Sequence, residues 1–187
     1  METCKLKSAA GHYRGAPSAT FGGNMSLNSL QDLFVEQLQD LYSAEGQFAQ
    51  AQPKLAEAAS SSELKAGIMQ HVDETKKQLE RLEKVAELCG VGSLKGKTCQ
   101  AAKGLVAEAQ ELLEEEADPK VLDAGIIAAL QRVEHYEMAG YGTVVAYAKQ
   151  LGHDEAFKLL QETLEEEKAT DEKLSQLAET AINQQAA

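Results

Sequence analysis

Hydrophobic residues recur every three or four positions through most of the chain, which is the period of amphipathic helices. Four long segments carry this period, and we predict helices over about 29–59, 62–89, 120–151 and 154–182. Asn28 or Ser29 is suited to cap the first helix, and Asp154 is suited to cap the fourth. Pro53 should kink the first helix or make its last third a separate segment.

A fifth, shorter amphipathic segment over about 99–116 lies between the second and third long helices. Residues 93–120 therefore form a long connection, which allows these two helices to run in the same direction, as in single-crossover bundles. We predict an all-α protein: a four-helix bundle whose long crossover between helices two and three carries an additional helix. Exposed apolar residues make 99–116 a candidate dimer face.

Each long helix has charged or polar residues near the midpoint of its apolar face. On the third helix, Glu134 and Glu137 lie one turn apart on the face that carries Leu130 and Tyr141. Burying an unpaired carboxylate costs several kcal/mol or raises its pKa until it is neutral, so such a pair suggests a cation between them. The corresponding residues of the other helices are Glu45 on the first, His71 and Glu74 on the second, and Glu167 and Asp171 on the fourth.

The midpoints of packed helices of similar length lie at one level, so these seven side chains can converge on one point. Their arrangement is close to a carboxylate-bridged two-metal site, and carboxylates with an imidazole suit iron or manganese. For each residue alone there is a simpler interpretation. A Glu at a boundary position can extend to water, and a lone His71 is commonly a hydrogen-bonded core histidine. Agreement among four helices favours the metal site.

Composition narrows the classes of partner. The 187 residues carry a formal net charge of −12, which argues against nucleic acid as a partner. No apolar run reaches the roughly 20 residues that span a bilayer. Three cysteines without a CxxC pair favour a reducing, cytoplasmic setting. Residues 1–25 lack the apolar middle of a secretory signal, and we expect a disordered tail or non-native extension, followed by a bundle over 26–182 and a frayed end over 183–187.

Three stretches also resemble a known family. These are His71–Leu82, Glu134–Thr143 and Leu164–Leu174, and the opening Leu33–Glu45 is similar too. Together they resemble the YciE/YciF family of bacterial stress-associated proteins, over about residues 26–181. The resemblance implies a ferritin-like bundle related to rubrerythrin, usually a homodimer, with a di-iron centre. The implied ligands are Glu45, His71, Glu74, Glu134, Glu137 and Glu167, with Asp171 as a seventh if Asp171 rather than Thr170 faces the site.

Two features depart from rubrerythrin and ferritin. Those proteins carry Glu-x-x-His on helix two, whereas this chain has the order His71-x-x-Glu74, and its fourth helix contains no histidine. These departures change the expected coordination geometry of the site, and therefore which metal it would bind and how that metal would react. The absence of CxxC pairs also excludes a rubredoxin-type electron relay within this chain.

Two functions follow as hypotheses. The first is a redox-active protein that binds two iron ions, or manganese, and reacts Fe(II) with O₂ or peroxide, as a ferroxidase- or peroxidase-like oxidoreductase. In that case Tyr42, Gln78 and Tyr141 are expected around the ligands. The second is a non-enzymatic stress protein that acts by association, with an empty or purely structural metal site. A bundle of this size needs no metal to fold, so stability does not decide between them.

Overall fold

The computed structural model describes residues 27–187, and all regular structure in this range is helical. The predicted tail, residues 1–25, lies outside the described residues. The helices are α1 (Leu30–Ala58), α2 (Ser62–Leu88), α3 (Gln100–Glu114), α4 (Pro119–Leu151) and α5 (Asp154–Leu177). A π-helical turn (Ala178–Ile182) and a last helical turn, α6 (Asn183–Ala186), follow α5. The predicted all-α bundle with a helix in its crossover is confirmed.

The helix ends follow from local side-chain chemistry. Ser29 caps α1 by accepting a hydrogen bond from the Asp32 amide at 3.1 Å. Gly152 ends α4 in the left-handed conformation, with φ of 76°, which favours glycine. The prediction that Asp154 caps the last helix is wrong, because Asp154 is already the first helical residue and His153 precedes it without a side-chain cap. Helix α1 continues through Pro53, so its last third is not a separate segment.

The core has two large apolar clusters, one toward each end of the bundle. The first includes Phe34, Leu38, Leu82, Tyr141 and Leu160, and the second includes Leu55, Leu64, Ile68, Ile127 and Leu174. All four long helices contribute to both clusters, which hold the bundle together on either side of its middle. No helix among the described residues is both long and apolar enough to cross a membrane.

Helix α3 covers the outside of α1 and α4. Cys99 and Ala102 pack with Ala44, Phe48 and Val133, and Leu105 and Val106 pack partly against the same cluster. The apolar side of α3 is therefore largely used within the chain. Leu105 and Val106 stay partly exposed, so the homodimer and its candidate face on 99–116 stay predictions.

A buried aspartate fixes the turn between α1 and α2 to the first turns of α4. Asp123 is 2 % exposed. Its carboxylate accepts hydrogen bonds from the Ser60 amide at 2.7 Å, the Ser60 hydroxyl at 2.7 Å and the Ser61 amide at 2.9 Å. These bonds set the position at which α2 begins, and hence the height of its polar residues within the bundle.

Replacing Asp123 with alanine should lower the free energy of unfolding by about 2–4 kcal/mol, because two backbone donors lose a charged acceptor inside the protein. Urea unfolding followed by circular dichroism measures this loss. Asp73→Ala is the control, since Asp73 is exposed and pairs only with Lys76 at the surface. Equal stability of the two variants would show that the buried bonds contribute little.

Helices α1 and α4 approach closely at Gly140. A Cβ atom at this position would lie 2.6 Å from Cδ2 of Leu41, which is 2 % exposed and packed in the first cluster. Two residues further along the same helix, a Cβ at Gly142 would meet nothing within 4 Å. The two glycines therefore share a helix but differ in the space around them.

Alanine should affect these two positions in opposite directions. Gly142→Ala is expected to raise the free energy of unfolding by about 0.5–1 kcal/mol through helix propensity. Gly140→Ala is expected to lower it by about 1 kcal/mol, because overpacking against Leu41 outweighs the same gain. Thermal and urea unfolding of both variants measures the difference. Equal stabilisation by both would mean that the helices separate without cost.

Candidate metal centre

A cluster of charged side chains lies in the core between the two apolar clusters. His71 from α2, Glu134 and Glu137 from α4, and Glu167 from α5 each offer a ligand atom, and these atoms lie within 4.8 Å of one another. The three glutamates are at most 1 % exposed and His71 is 4 % exposed. The cluster can hold a metal ion.

One close contact within the cluster joins α2 to α4. Nε2 of His71 lies 3.2 Å from Oε1 of Glu134 and 3.9 Å from Oε2 of Glu167. At the edge of the cluster, Oε2 of Glu74 lies 3.6 Å from Nδ1 of His71, and the Glu74 side chain is 25 % exposed. The order His71-x-x-Glu74 therefore puts the histidine deeper than the carboxylate.

Glu45 brings the fourth long helix, α1, to the same level. It is fully buried and accepts a hydrogen bond from the Tyr141 hydroxyl. Glu45 and Glu137 also interact through their carboxyl groups, since each affects the pKa of the other. The six predicted ligands Glu45, His71, Glu74, Glu134, Glu137 and Glu167 thus surround one region of the core.

Several atoms of this region are buried without a hydrogen-bond partner. They are Oε2 of Glu45, Nε2 of His71, both carboxylate oxygens of Glu134, Oε2 of Glu137 and Oε2 of Glu167. Buried polar atoms are almost always paired in folded proteins, and an unpaired one costs about 1–3 kcal/mol. Atoms of this kind from four helices, all of them metal-ligand types, fit a cation bound among them.

The cluster shifts the pKa values of its members. Burial raises the pKa of Glu45 to about 7 and that of Glu167 to about 10. Burial and the nearby carboxylates Glu45 and Glu167 raise the pKa of Glu137 well above its usual value. Burial alone would lower the pKa of His71, but Glu134 and Glu74 outweigh it and raise that pKa. The His71 side chain, as a hydrogen-bond donor close to the Glu74 carboxylate, lowers the pKa of Glu74 to about 2.

Two predicted supporting residues do contact the ligands. Gln78 donates from Nε2 to Glu167 at 2.5 Å, and Tyr141 donates to Glu45. Arg81, which the sequence did not single out, donates to Glu166 at 2.8 Å, and Gln78 also donates to Glu166 at 3.1 Å. These bonds orient Glu167 from the side of the bundle that contains the first apolar cluster.

Two other predicted residues lie elsewhere. Tyr42 donates to Glu83 at 2.7 Å near the surface, away from the cluster. Asp171 lies 3.4 Å from both His135 and Gln131, outside the cluster. Thr170 occupies the inward position instead, with its hydroxyl 3.4 Å from Nδ1 of His71. The inward face of α5 runs through Glu167, Thr170 and Leu174, so the residue after Thr170 is turned away by about 100°.

Comparison with known proteins shows the family to which the chain belongs. The family model described as "Domain of unknown function (DUF892)" matches residues 29–187. The protein YciF of Escherichia coli is 46 % identical over 162 residues, which cover 87 % of this chain and 98 % of that protein. The chain belongs to the DUF892 family, which includes YciF.

Three solved structures of similar proteins share the fold. The crystal structure of the E. coli stress protein YciF superposes with a TM-score of 0.81, covering 83 % of this chain and 98 % of that one. The YcfI structure from Rhodopseudomonas palustris has a TM-score of 0.78 and 43 % identity, covering 82 % and 98 %. A protein from Xanthomonas campestris pv. campestris, at 24 % identity and a TM-score of 0.66, covers 81 % and 92 % and shows the fold alone.

The raised pKa values predict how the stability of this DUF892 chain depends on pH when metal is removed by a chelator. Glu45, Glu137 and Glu167 hold protons in the folded state that they release in the unfolded state above pH 4.5. The folded state therefore binds more protons, and the free energy of unfolding should fall as pH rises from about 5 to about 8. The raised pKa of His71 acts in the same direction, because its contribution is present below the unfolded pKa and lost as pH rises.

For Glu45 alone, a change in pKa from 4.5 to about 7 corresponds to as much as about 3 kcal/mol. Urea unfolding of the chelated protein across this pH range measures the loss. The glutamine of Glu45→Gln cannot ionise, so this variant should lose less stability as pH rises. Glu165→Gln, at an exposed position of α5, should lose as much stability as the wild type. Stability that is constant or rises with pH would contradict the assigned pKa shifts.

Proposed function

We propose that this chain is a stress-response protein that binds two iron ions, or two manganese ions, in the core of its bundle. The observation that carries the proposal is the group of unpartnered, buried carboxylate and imidazole atoms that four helices bring to one level. Carboxylate oxygens with an imidazole nitrogen suit iron and manganese, and several carboxylates offset the charge of two divalent ions.

The ligands in this proposal are Glu45, His71, Glu74, Glu134, Glu137 and Glu167. Asp171 was predicted as a seventh, but its contacts with His135 and Gln131 support a position outside the set. His71 contacts Thr170 and Glu74 through Nδ1, so its unpartnered Nε2 is the nitrogen directed at the other ligands. Gln78 and Tyr141 position Glu167 and Glu45 through hydrogen bonds.

Bound iron would supply redox reactivity toward O₂ or peroxide, and we propose that this reaction limits oxidative damage. The description of the E. coli relative as a stress protein supports such a role. The protein's own part is to hold the ligands in place, to exclude bulk water from Glu45, Glu134 and Glu167, and to keep a hydroxyl donor, Tyr141, on Glu45. A cytoplasmic homodimer belongs to the same proposal and rests on the resemblance and the cysteine usage.

A second function has one structural observation in its favour. The two apolar clusters hold the bundle on either side of the centre, so the fold does not depend on a metal. A protein that acts by association alone, with an empty or structural site, would have the same bundle. Metal content and oxygen reactivity distinguish the two functions.

Anaerobic loading with Fe(II), followed by metal analysis, should give about two iron ions per chain. Glu134→Ala and Glu167→Ala should each reduce that content at least by half, because each removes a buried ligand. The control is Glu165→Ala, which removes an exposed glutamate from the same helix as Glu167 and should retain full loading. Exposure of the loaded protein to O₂ should then produce a ferric absorption band.

Failure to bind iron or manganese, or unchanged metal content in both ligand variants, would overturn the proposal. Metal at about two per chain with no reaction toward O₂ or peroxide would favour the structural alternative.

A further inference from the structure

A cavity of about 450 Å³ opens beside the cluster, between α2, α4 and α5. This volume lies within the usual range of small-molecule sites, about 300–1,000 Å³. Its lining residues fall into three groups by burial and polarity. The buried polar residues His71, Glu134 and Thr170 define the inner end, and the apolar residues Leu64, Ile68, Leu130, Leu174 and Leu177 define the walls. The more exposed polar residues Glu63, Gln70, Glu74, Lys173, Gln176 and Thr180 define the mouth.

His71 and Glu134 bring buried polar groups to the lining of the cavity. Nε2 of His71 and Oε1 of Glu134 face each other at 3.2 Å, and Oε2 of Glu134 has no hydrogen-bond partner. Glu134 is fully buried and His71 is 4 % exposed, and both residues belong to the lining of the cavity. A ligand that fills the cavity therefore ends at two residues of the candidate metal centre.

The walls of the cavity are apolar. Leu64, Ile68, Leu130 and Leu174 belong to the second apolar cluster and are at most 8 % exposed. Water bound between such walls would find few hydrogen-bond partners. Access for O₂ or hydrogen peroxide alone needs far less space. The size and the lining both fit a molecule with an apolar body.

The mouth is built differently from the rest of α5. The π-helical turn Ala178–Ile182 interrupts the regular helix, and Thr180 within it lines the cavity. Such turns occur frequently at functional sites because they change the direction of nearby side chains. Lys173, one turn of helix away from Leu177, adds a positive charge at the mouth of a strongly acidic protein.

We propose that this cavity binds a small molecule with an elongated apolar body and a single oxygen-bearing head group, such as a medium-chain alcohol or carboxylic acid. The apolar body lies among the leucines of α2, α4 and α5, and the head group points at His71 and Glu134. The position of the head group rests on the proposed function, since a metal ion beside His71 and Glu134 would bind the oxygen of that head group. The binding of the apolar body does not depend on the proposed function.

A glycine in α2 allows the cavity to be filled without touching a ligand residue. Gly67 lines the cavity, and a Cβ atom there would meet nothing within 4 Å. Gly67→Leu places a leucine side chain in this space and also favours the helix. Gly104→Leu is the matched control, because Gly104 lies within α3, equally exposed and with equally open space, and does not line the cavity.

Titration of 1-octanol and of octanoate, followed by ligand-observed NMR, tests the proposal on metal-loaded and chelated protein. Both probes should bind the wild-type protein and Gly104→Leu, and Gly67→Leu should weaken binding at least about tenfold by occupying the space. Metal removal should weaken octanoate more than octanol, because the carboxylate head group then loses the cation that would bind it. Gly67→Leu should retain the metal content of the wild type.

No binding of either probe, or equal binding to Gly67→Leu and Gly104→Leu, would overturn the proposal. If metal content is normal while neither probe binds, the metal centre stands and the cavity assignment fails. If no metal is held while octanol binds and Gly67→Leu blocks it, the ligand site stands and the proposed metal function fails. Dissociation of a wild-type dimer by Gly67→Leu in sedimentation experiments would assign the cavity to a second copy of the chain and would also overturn the proposal.

Discussion

The structure depends on one electrostatic constraint, which is the burial of four glutamates in the core of a helical bundle. Glu45, Glu134, Glu137 and Glu167 are at most 1 % exposed, and His71 is the imidazole placed among them. Without a cation, burial raises the pKa values of Glu45, Glu137 and Glu167 and favours their protonated forms, and these raised values express that cost. A bound metal removes the cost by replacing the protons with positive charge.

The rest of the fold is arranged so that this constraint can be met. The apolar clusters on either side supply the stability that the polar middle cannot, because each buries aliphatic and aromatic side chains from all four long helices. Asp123 fixes the start of α2 against α4, and the close approach at Gly140 sets α1 against α4 near Glu137. The heights of the helices, and so the positions of the ligands, follow from these contacts.

The centre has two unlike sides. Toward the first apolar cluster it is closed, since Tyr141 bonds Glu45 and Gln78 bonds Glu167. Toward the second cluster, His71 and Glu134 line an apolar cavity whose mouth includes the π-helical turn of α5. The two sides therefore differ in their contacts, with hydrogen bonds on one side and a cavity on the other.

The sequence alone determined the helices and most of the centre, because a helix repeats every 3.6 residues and interruptions of an apolar face are visible in the order of residues. Glu45, His71, Glu74, Glu134, Glu137 and Glu167 were all predicted in this way. Only the tertiary structure decided between Thr170 and Asp171, since a rotation of about 100° at the end of a face depends on how α5 packs. Only the tertiary structure showed that Tyr42 bonds Glu83 rather than a residue of the cluster, and only it revealed the cavity. Contacts and spaces between segments that are distant in the chain leave no periodic signal in the sequence.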